Sequence, residues 1–208
     1  MNMKIVNLMA IVALGTVLVA CNNQKESTQD QSQAVMECIM TRTSIRAYTD
    51  QPVEQEKVEA LLRAGMAAPT AVNAQPWHFV AVTDKAKLAE LAAANPRAKM
   101  LQTATLAIVV CGDMTKALEG KAREFWIQDC SAAAENILLA AHAQGLGAVW
   151  TAVYPMEERI LPVSEALKLP EYIVPLCTIV IGYPAENPQP KDKWKAENVS
   201  FNEFGAQK

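Results

Sequence analysis

Apolar positions recur along this chain in two rhythms, one of about 3.6 residues and one of 2, and the switches between them mark its elements. Residues 33–41 carry the helical rhythm, as does a stretch opening at Pro52-Val53, where Val58, Leu61, Leu62, Gly65 and Met66 share one face. Residues 77–82 read as a strand. Asp84 stands where an N-cap belongs. The helix it opens, 85–94, stops at Asn95-Pro96, because proline drives the preceding residue out of the helical region. Leu106 to Cys111 is a continuous apolar run, a buried strand ended by Gly112-Asp113. From Arg123 to Gln144 the period is helical again. Ala132, Ala133, Ala134, Ala140, Ala141 and Ala143 there let another backbone come close, which suits a central helix packed on all sides or a seam between two copies. Gly145-Leu146-Gly147 ends this helix and Ala148-Val149-Trp150 begins a short strand. Two short helical patches over 156–168 and a long apolar strand over 174–183 complete the core pattern. Residues 184–208 scatter prolines and a glycine among charges, a segment expected to cross a surface.

A different pattern precedes these elements. Lys4 supplies a short positive region, Ile5 to Ala20 is apolar apart from Asn7 and Thr16, and the run ends in Leu18-Val19-Ala20-Cys21. This is a signal peptide's layout, and its last four residues are similar to a bacterial lipobox, whose cysteine becomes the lipidated N-terminus. The alternative is a retained membrane span. Residues 5–20 are short for a hydrocarbon core about 30 Å thick, and the polar run from Asn22 to Gln33 fits a tether better than a stop-transfer flank. The expected organisation is a signal peptide over 1–21 ending at lipidated Cys21, a polar linker over 22–33, and one domain over 34–208. The expected address is the cell envelope, periplasmic or outer face.

Composition narrows the chemistry. A net charge of −3 with interspersed signs argues against a nucleic-acid footprint. Cys38, Cys111, Cys130 and Cys177 form no C-x-x-C pair, and Cys111 and Cys177 lie within apolar strand patterns, so buried thiols are expected. With two histidines and no His/Cys cluster, no metal site is expected. His142, among alanines and leucines, reads as a core histidine, and no Ser-His-Asp or paired-carboxylate arrangement suggests hydrolysis.

Two segments carry candidate chemistry. In Arg42-Thr43-Ser44-Ile45-Arg46, two guanidinium groups flank a hydroxyl, a combination suited to a phosphate monoester. In Ala68-Pro69-Thr70-Ala71-Val72-Asn73-Ala74-Gln75-Pro76-Trp77, two prolines force an ordered, extended loop that offers backbone amides, a hydroxyl and carboxamides. The pair, in this order and spacing, resembles the nitroreductase family of FMN-dependent oxidoreductases. In that family an Arg-x-Ser-x-Arg element and a Pro-Ser/Thr-x-x-Asn-x-Gln-Pro-Trp loop both touch the flavin.

The resemblance, spanning residues 35–193, implies roles by position. Arg42 and Ser44 would serve the phosphate and ribityl chain, Arg46 would reach the pyrimidine edge, and Thr43, a further cofactor-binding candidate, stands where many relatives have Arg. Pro69, Thr70, Ala71 and Asn73 would come from the partner subunit. Ala152 and Val153 match the backbone that approaches flavin N5, and Lys191 and Lys193 the two basic residues that meet the phosphate. Gln128 is a looser candidate, and Trp77 reads as core packing. Each segment also has a structural reading: a basic helix end, a turn before a strand, and a solvated charged tail.

Strands alternating with helices would by themselves suggest a parallel doubly wound sheet. No G-x-G-x-x-G follows a strand, however, and Gly145-Leu146-Gly147 closes a helix rather than opening one. The resemblance implies instead an α+β fold, a mixed and largely antiparallel sheet flanked by helices, in an interlocked homodimer. It implies an FMN-dependent oxidoreductase that passes hydride from NAD(P)H or another donor, through flavin N5, to a nitro, quinone or similar acceptor. No catalytic side chain is then required. The alternative function is a non-catalytic flavin-binding carrier lipoprotein.

Overall fold

The computed structural model of the protein describes residues 30–206. The expected signal peptide and the linker up to residue 29 lie outside these. Among the described residues, those up to Met40 and those from Thr41 onward belong to separate units. Helix α1 covers residues 30–41, three residues more than the apolar rhythm marks, because its first turn is polar and solvated and gives no periodic signal. Val35, Met36, Ile39 and Met40 leave an exposed apolar stripe along it.

The unit from Thr41 is built on four strands: β1 (Trp77–Val82), β2 (Leu106–Asp113), β3 (Gly147–Ala152) and β4 (Ile173–Gly182), in the order β1-β2-β4-β3. Every neighbouring pair is antiparallel. Between them lie helices α2 (Gln55–Met66), α3 (Lys85–Ala94), α4 (Phe125–Ala143) and α5 (Glu157–Leu167). The α+β expectation holds. Alternation of strand and helix therefore does not mean a parallel sheet here.

The central strands are apolar throughout because both sheet faces are covered. Leu106, Ile108 and Val110 pack with Ile137 and Cys130 of α4 and Leu61 of α2. Ala107, Val109 and Cys111 pack on the other face with Leu88 and Leu91 of α3 and Val163 of α5. Each fully buried Leu, Ile or Val contributes about 1.5–3 kcal/mol. The Asp84 carboxylate accepts from Lys87 N at 2.8 Å, the N-cap that the pattern predicts.

Three further boundaries move for physical reasons. α2 starts at Gln55 rather than Pro52, because Glu54 keeps an extended backbone. β2 continues through Gly112-Asp113, where the Trp126 ring occupies the space a Gly112 side chain would need. The two patches over 156–168 are one helix that carries Pro162 inside it and closes at left-handed Lys168.

Candidate functional site

The segment carrying Arg42 to Arg46 is clamped to the sheet by its own backbone. Ser44 pairs in parallel with Ala148, and Ile45 N donates to the Ala148 carbonyl at 3.1 Å. Thr49 N donates to the Tyr183 carbonyl, and Ala185 N to the Ala47 carbonyl, both at 2.9 Å. The buried Tyr48 hydroxyl lies 2.6 Å from the Ile45 carbonyl and 3.0 Å from that of Val180. Burial pushes its pKa well above the ordinary tyrosine value, so it serves as a donor. Ile45 can lie this close to β3 only because position 147 is glycine. A Cβ there would stand 2.6 Å from Ile45 Cγ2.

Side chains then furnish the groove beside this segment. Its volume is about 310 Å³, and its walls include Arg42, Thr43, His142, the turn Gly145-Leu146-Gly147, and Glu186. The Arg42 side chain is only 18% exposed, with its Nε 3.5 Å from a Glu135 carboxylate oxygen on α4. His142 is not sealed in the core as the sequence suggests: it lines the groove, its Nε2 2.9 Å from Thr41 Oγ1. The Glu186 carboxylate accepts from the backbone N–H groups of Arg46 and Ala47, the latter at 3.1 Å. Ser44 is half-buried and Arg46 exposed.

The second segment is an ordered loop, as its prolines require. Ala71–Asn73 makes a single 3-10 turn, and Val72 (φ 46°), Asn73 (φ 58°) and Gln75 (φ 50°) all occupy the left-handed region. For non-glycine residues this costs on the order of 1–3 kcal/mol each and persists only where surrounding contacts impose it. Gln75 N donates to Thr70 Oγ1 at 3.2 Å, and Gln75 Nε2 to Asn73 Oδ1 at 3.1 Å. The buried Asp129 carboxylate accepts from Ala71 N at 2.9 Å. Pro69, Thr70 and Ala71 border a cleft of about 350 Å³ with Gln128 and Asp129 of α4.

Among the described residues, the two segments line separate clefts. The groove at Arg42 and Thr43 contains none of residues 69–73, and the cleft at 69–71 contains none of residues 42–46. Their α4 partners, Glu135 and Asp129, lie six residues apart, about 9 Å along the helix and on different faces. Ala152 ends β3 in an exposed position, its carbonyl accepting from Asn95 Nδ2 (3.3 Å) and Arg159 Nη1 (3.2 Å). Val153 is buried and donates its N–H to Leu176. Lys191 and Lys193 are exposed, just beyond Pro190 at the groove's edge. Trp77 is core, and His78 faces outward.

Sequence reasoning missed Asp129, Glu135 and Glu186. The only signal for the first was a carboxylate in a helix whose apolar face is otherwise buried. Taken together, the groups suit a phosphorylated aromatic cofactor. Arg42 is a shielded guanidinium beside a turn flanked by two glycines, and the strained loop is built to present polar groups.

Comparison with known proteins agrees. The sequence model of the Nitroreductase family matches residues 39–95 and 92–183. A provisionally named NADH dehydrogenase/NAD(P)H nitroreductase of Methanothermobacter thermautotrophicus is 43% identical over 170 residues, 82% of this chain and 87% of the relative. The crystal structure of a protein with the same provisional name from Bacteroides thetaiotaomicron superposes with TM-score 0.78 at 49% identity, over 82% of this chain and 98% of that one. An FMN-dependent nitroreductase of Clostridium difficile superposes with TM-score 0.75 at 33% identity, over 81% and 99%. By sequence and by fold, this chain belongs to the nitroreductase family.

Proposed function

We propose that the protein is an FMN-dependent NAD(P)H oxidoreductase, held at the bacterial cell envelope by lipid on Cys21 and assembled as a homodimer whose two chains share each flavin site. The observation that carries the cofactor reading is the semi-buried Arg42, set beside the glycine turn and backed by Glu135. Its relatives support it: they include a provisionally named NAD(P)H nitroreductase and an FMN-dependent nitroreductase.

Bound FMN supplies reversible two-electron chemistry between a nicotinamide donor and a nitro, quinone or similar acceptor. The chain's residues bind and orient. Arg42 provides a charge-assisted contact for phosphate, with Thr43 and Ser44 beside it and Lys191 and Lys193 as added point charges. Arg46 brings positive charge, which favours an anionic reduced ring. Ala152 and Val153 offer the end of β3 as a rigid backbone edge, and Pro69 to Asn73 close the site from the partner. Sharing between chains is supported by the separation of the two segments within one protomer. Exposed apolar side chains on α1 (Val35, Met36, Ile39, Met40) and Phe125 of α4 supply surface for a dimer to cover.

The envelope address rests on Leu18-Val19-Ala20-Cys21. It favours one second reading, a flavin carrier, since free NAD(P)H is scarce outside the cytoplasm. Anaerobic stopped-flow separates the two. Bleaching of the bound-flavin band by NADH or NADPH, with electrons passed on to a quinone or nitroaromatic, is expected of the enzyme. Tight flavin that neither nicotinamide bleaches beyond the free-FMN control leaves the carrier.

A further inference from the structure

Asp129 sits on α4, outside both sequence motifs, and carries no role in the reading above. It is 7% exposed, yet it borders the cleft beside Pro69 and Thr70. Its Oδ1 accepts the N–H of Ala71 at 2.9 Å, at the first residue of the 3-10 turn. Immediately after that turn begins, the backbone enters the left-handed region at Val72 and Asn73 and again at Gln75. Val72 is β-branched and 82% exposed, so its own side chain does nothing to hold that conformation. The hydrogen bonds from Gln75 to Thr70 and Asn73, and from Asn73 N and Ala74 N to the Thr70 and Ala71 carbonyls, are internal to the loop and move with it, and the bond from Asp113 N to the Pro76 carbonyl holds only its far end.

We infer that Asp129 is a positioning residue: its carboxylate ties the strained loop to the rigid helix α4 and so sets where Thr70 and Asn73 are presented to the flavin. The inference rests on the cofactor reading proposed above. A buried carboxylate is costly unless its hydrogen bonds are made, and an amide facing it is held more strongly than by a neutral acceptor. A helix buried against the sheet moves little, so a loop pinned to it is fixed relative to the core. A free loop would relax toward unstrained dihedrals and lose that placement.

The test uses the full-length protein in four forms: wild type, Asp129→Ala, Asp129→Asn, and Asp84→Ala as a control that removes a comparable carboxylate–amide cap at α3. FMN dissociation constants are measured by flavin fluorescence, and amide hydrogen exchange over residues 71–75 is measured without FMN. Asp129→Ala should weaken FMN about tenfold or more and speed exchange across the loop. Asp129→Asn, which keeps an acceptor oxygen, should stay within about threefold of wild type, and Asp84→Ala should leave FMN binding unchanged.

Ala71→Pro approaches the same bond from the loop side, deleting the donor at a position where proline's fixed φ suits the first residue of a turn. It should weaken FMN like Asp129→Ala, and the double variant should be no weaker than either, so the test stands even if one variant does not fold. The inference is overturned if Asp129→Ala binds FMN as wild type does. It is also overturned if the alanine and asparagine variants lose equally, or if Asp84→Ala loses as much. A wild-type protein that takes up no FMN overturns the cofactor reading itself, and with it the purpose assigned to Asp129.

Discussion

Arg42 Nε and a Glu135 carboxylate oxygen stand 3.5 Å apart, joining the segment before β1 to the middle of α4 with the guanidinium largely shielded from water. Two opposing effects act on a phosphate arriving there. Glu135 holds the guanidinium in place before the ligand comes, and its negative charge competes for the same cation. With 50% of its own side chain exposed, Glu135 is well solvated and screened. Placement is therefore expected to outweigh repulsion.

Removing Arg42 should consequently cost more than removing its partner. A hydrogen bond to a charged group contributes about 1.5–3 kcal/mol, so Arg42→Ala should weaken FMN by about one to two orders of magnitude. Glu135→Gln should weaken it by less than about tenfold. Fluorescence titration of purified protein checks both, and a tighter-binding Glu135→Gln would mean that competition wins.

Gly147→Ala should loosen the same segment without touching its charges. The added methyl would press on Ile45 at 2.6–3.0 Å, and relief requires Ile45 or the backbone carrying Ser44 to shift. Overpacking of this kind costs about 1–3 kcal/mol. The variant should unfold at lower denaturant concentration and also bind FMN more weakly. A change in stability with FMN affinity intact would separate Ile45 from the site.

Mixed dimers test sharing of the site. If Arg42 and Asn73 serve one flavin from different chains, a heterodimer of Arg42→Ala and Asn73→Ala has one doubly altered site and one intact site. Unfolding and refolding the two variants together should recover about half of the FMN sites in each heterodimer. Recovery no better than the separate parents would place both residues at one chain's site, or at none.

The buried thiols predict a loss of stability at high pH. Burial pushes the Cys111 thiol up to about 12 from the ordinary 9.0, and burial raises Cys130 and Cys177 as well. The folded state therefore keeps its protons where the unfolded chain releases them. The stabilisation is complete below pH 9.0 and falls as pH rises from there toward 12. Urea midpoints measured at pH 7, 9 and 10.5 should decline mainly over the last interval. Cys111→Ala should flatten that decline, and an unchanged slope would remove the thiol from the account.

The envelope reading stands or falls on one sulfur. Cys21→Ser should yield an unlipidated precursor that differs from wild type in gel migration and in detergent partitioning. Identical behaviour of the two proteins would exclude lipid attachment at that residue.

Much of this protein is legible along the chain, because the interactions responsible are local. Strand 77–82 and helix 85–94 match their expected spans: alternation, an Asp84 cap and an Asn95-Pro96 stop act within a few residues. The spacing of Arg42–Arg46 from Pro69–Trp77 was enough to suggest family and cofactor. Strand direction was not available from pattern, since a run such as Leu106 to Cys111 is apolar whichever way its neighbours run. Only the pairing of β2 with both β1 and β4, and of β3 with β4, decides that every neighbouring pair is antiparallel. Asp129 and Glu135 were invisible for a related reason. Along the chain they are two acids in an alanine-rich helix. Their partners, Ala71 and Arg42, lie 58 and 93 residues away, and only the packing of α4 against the rest of the chain brings each carboxylate to its donor.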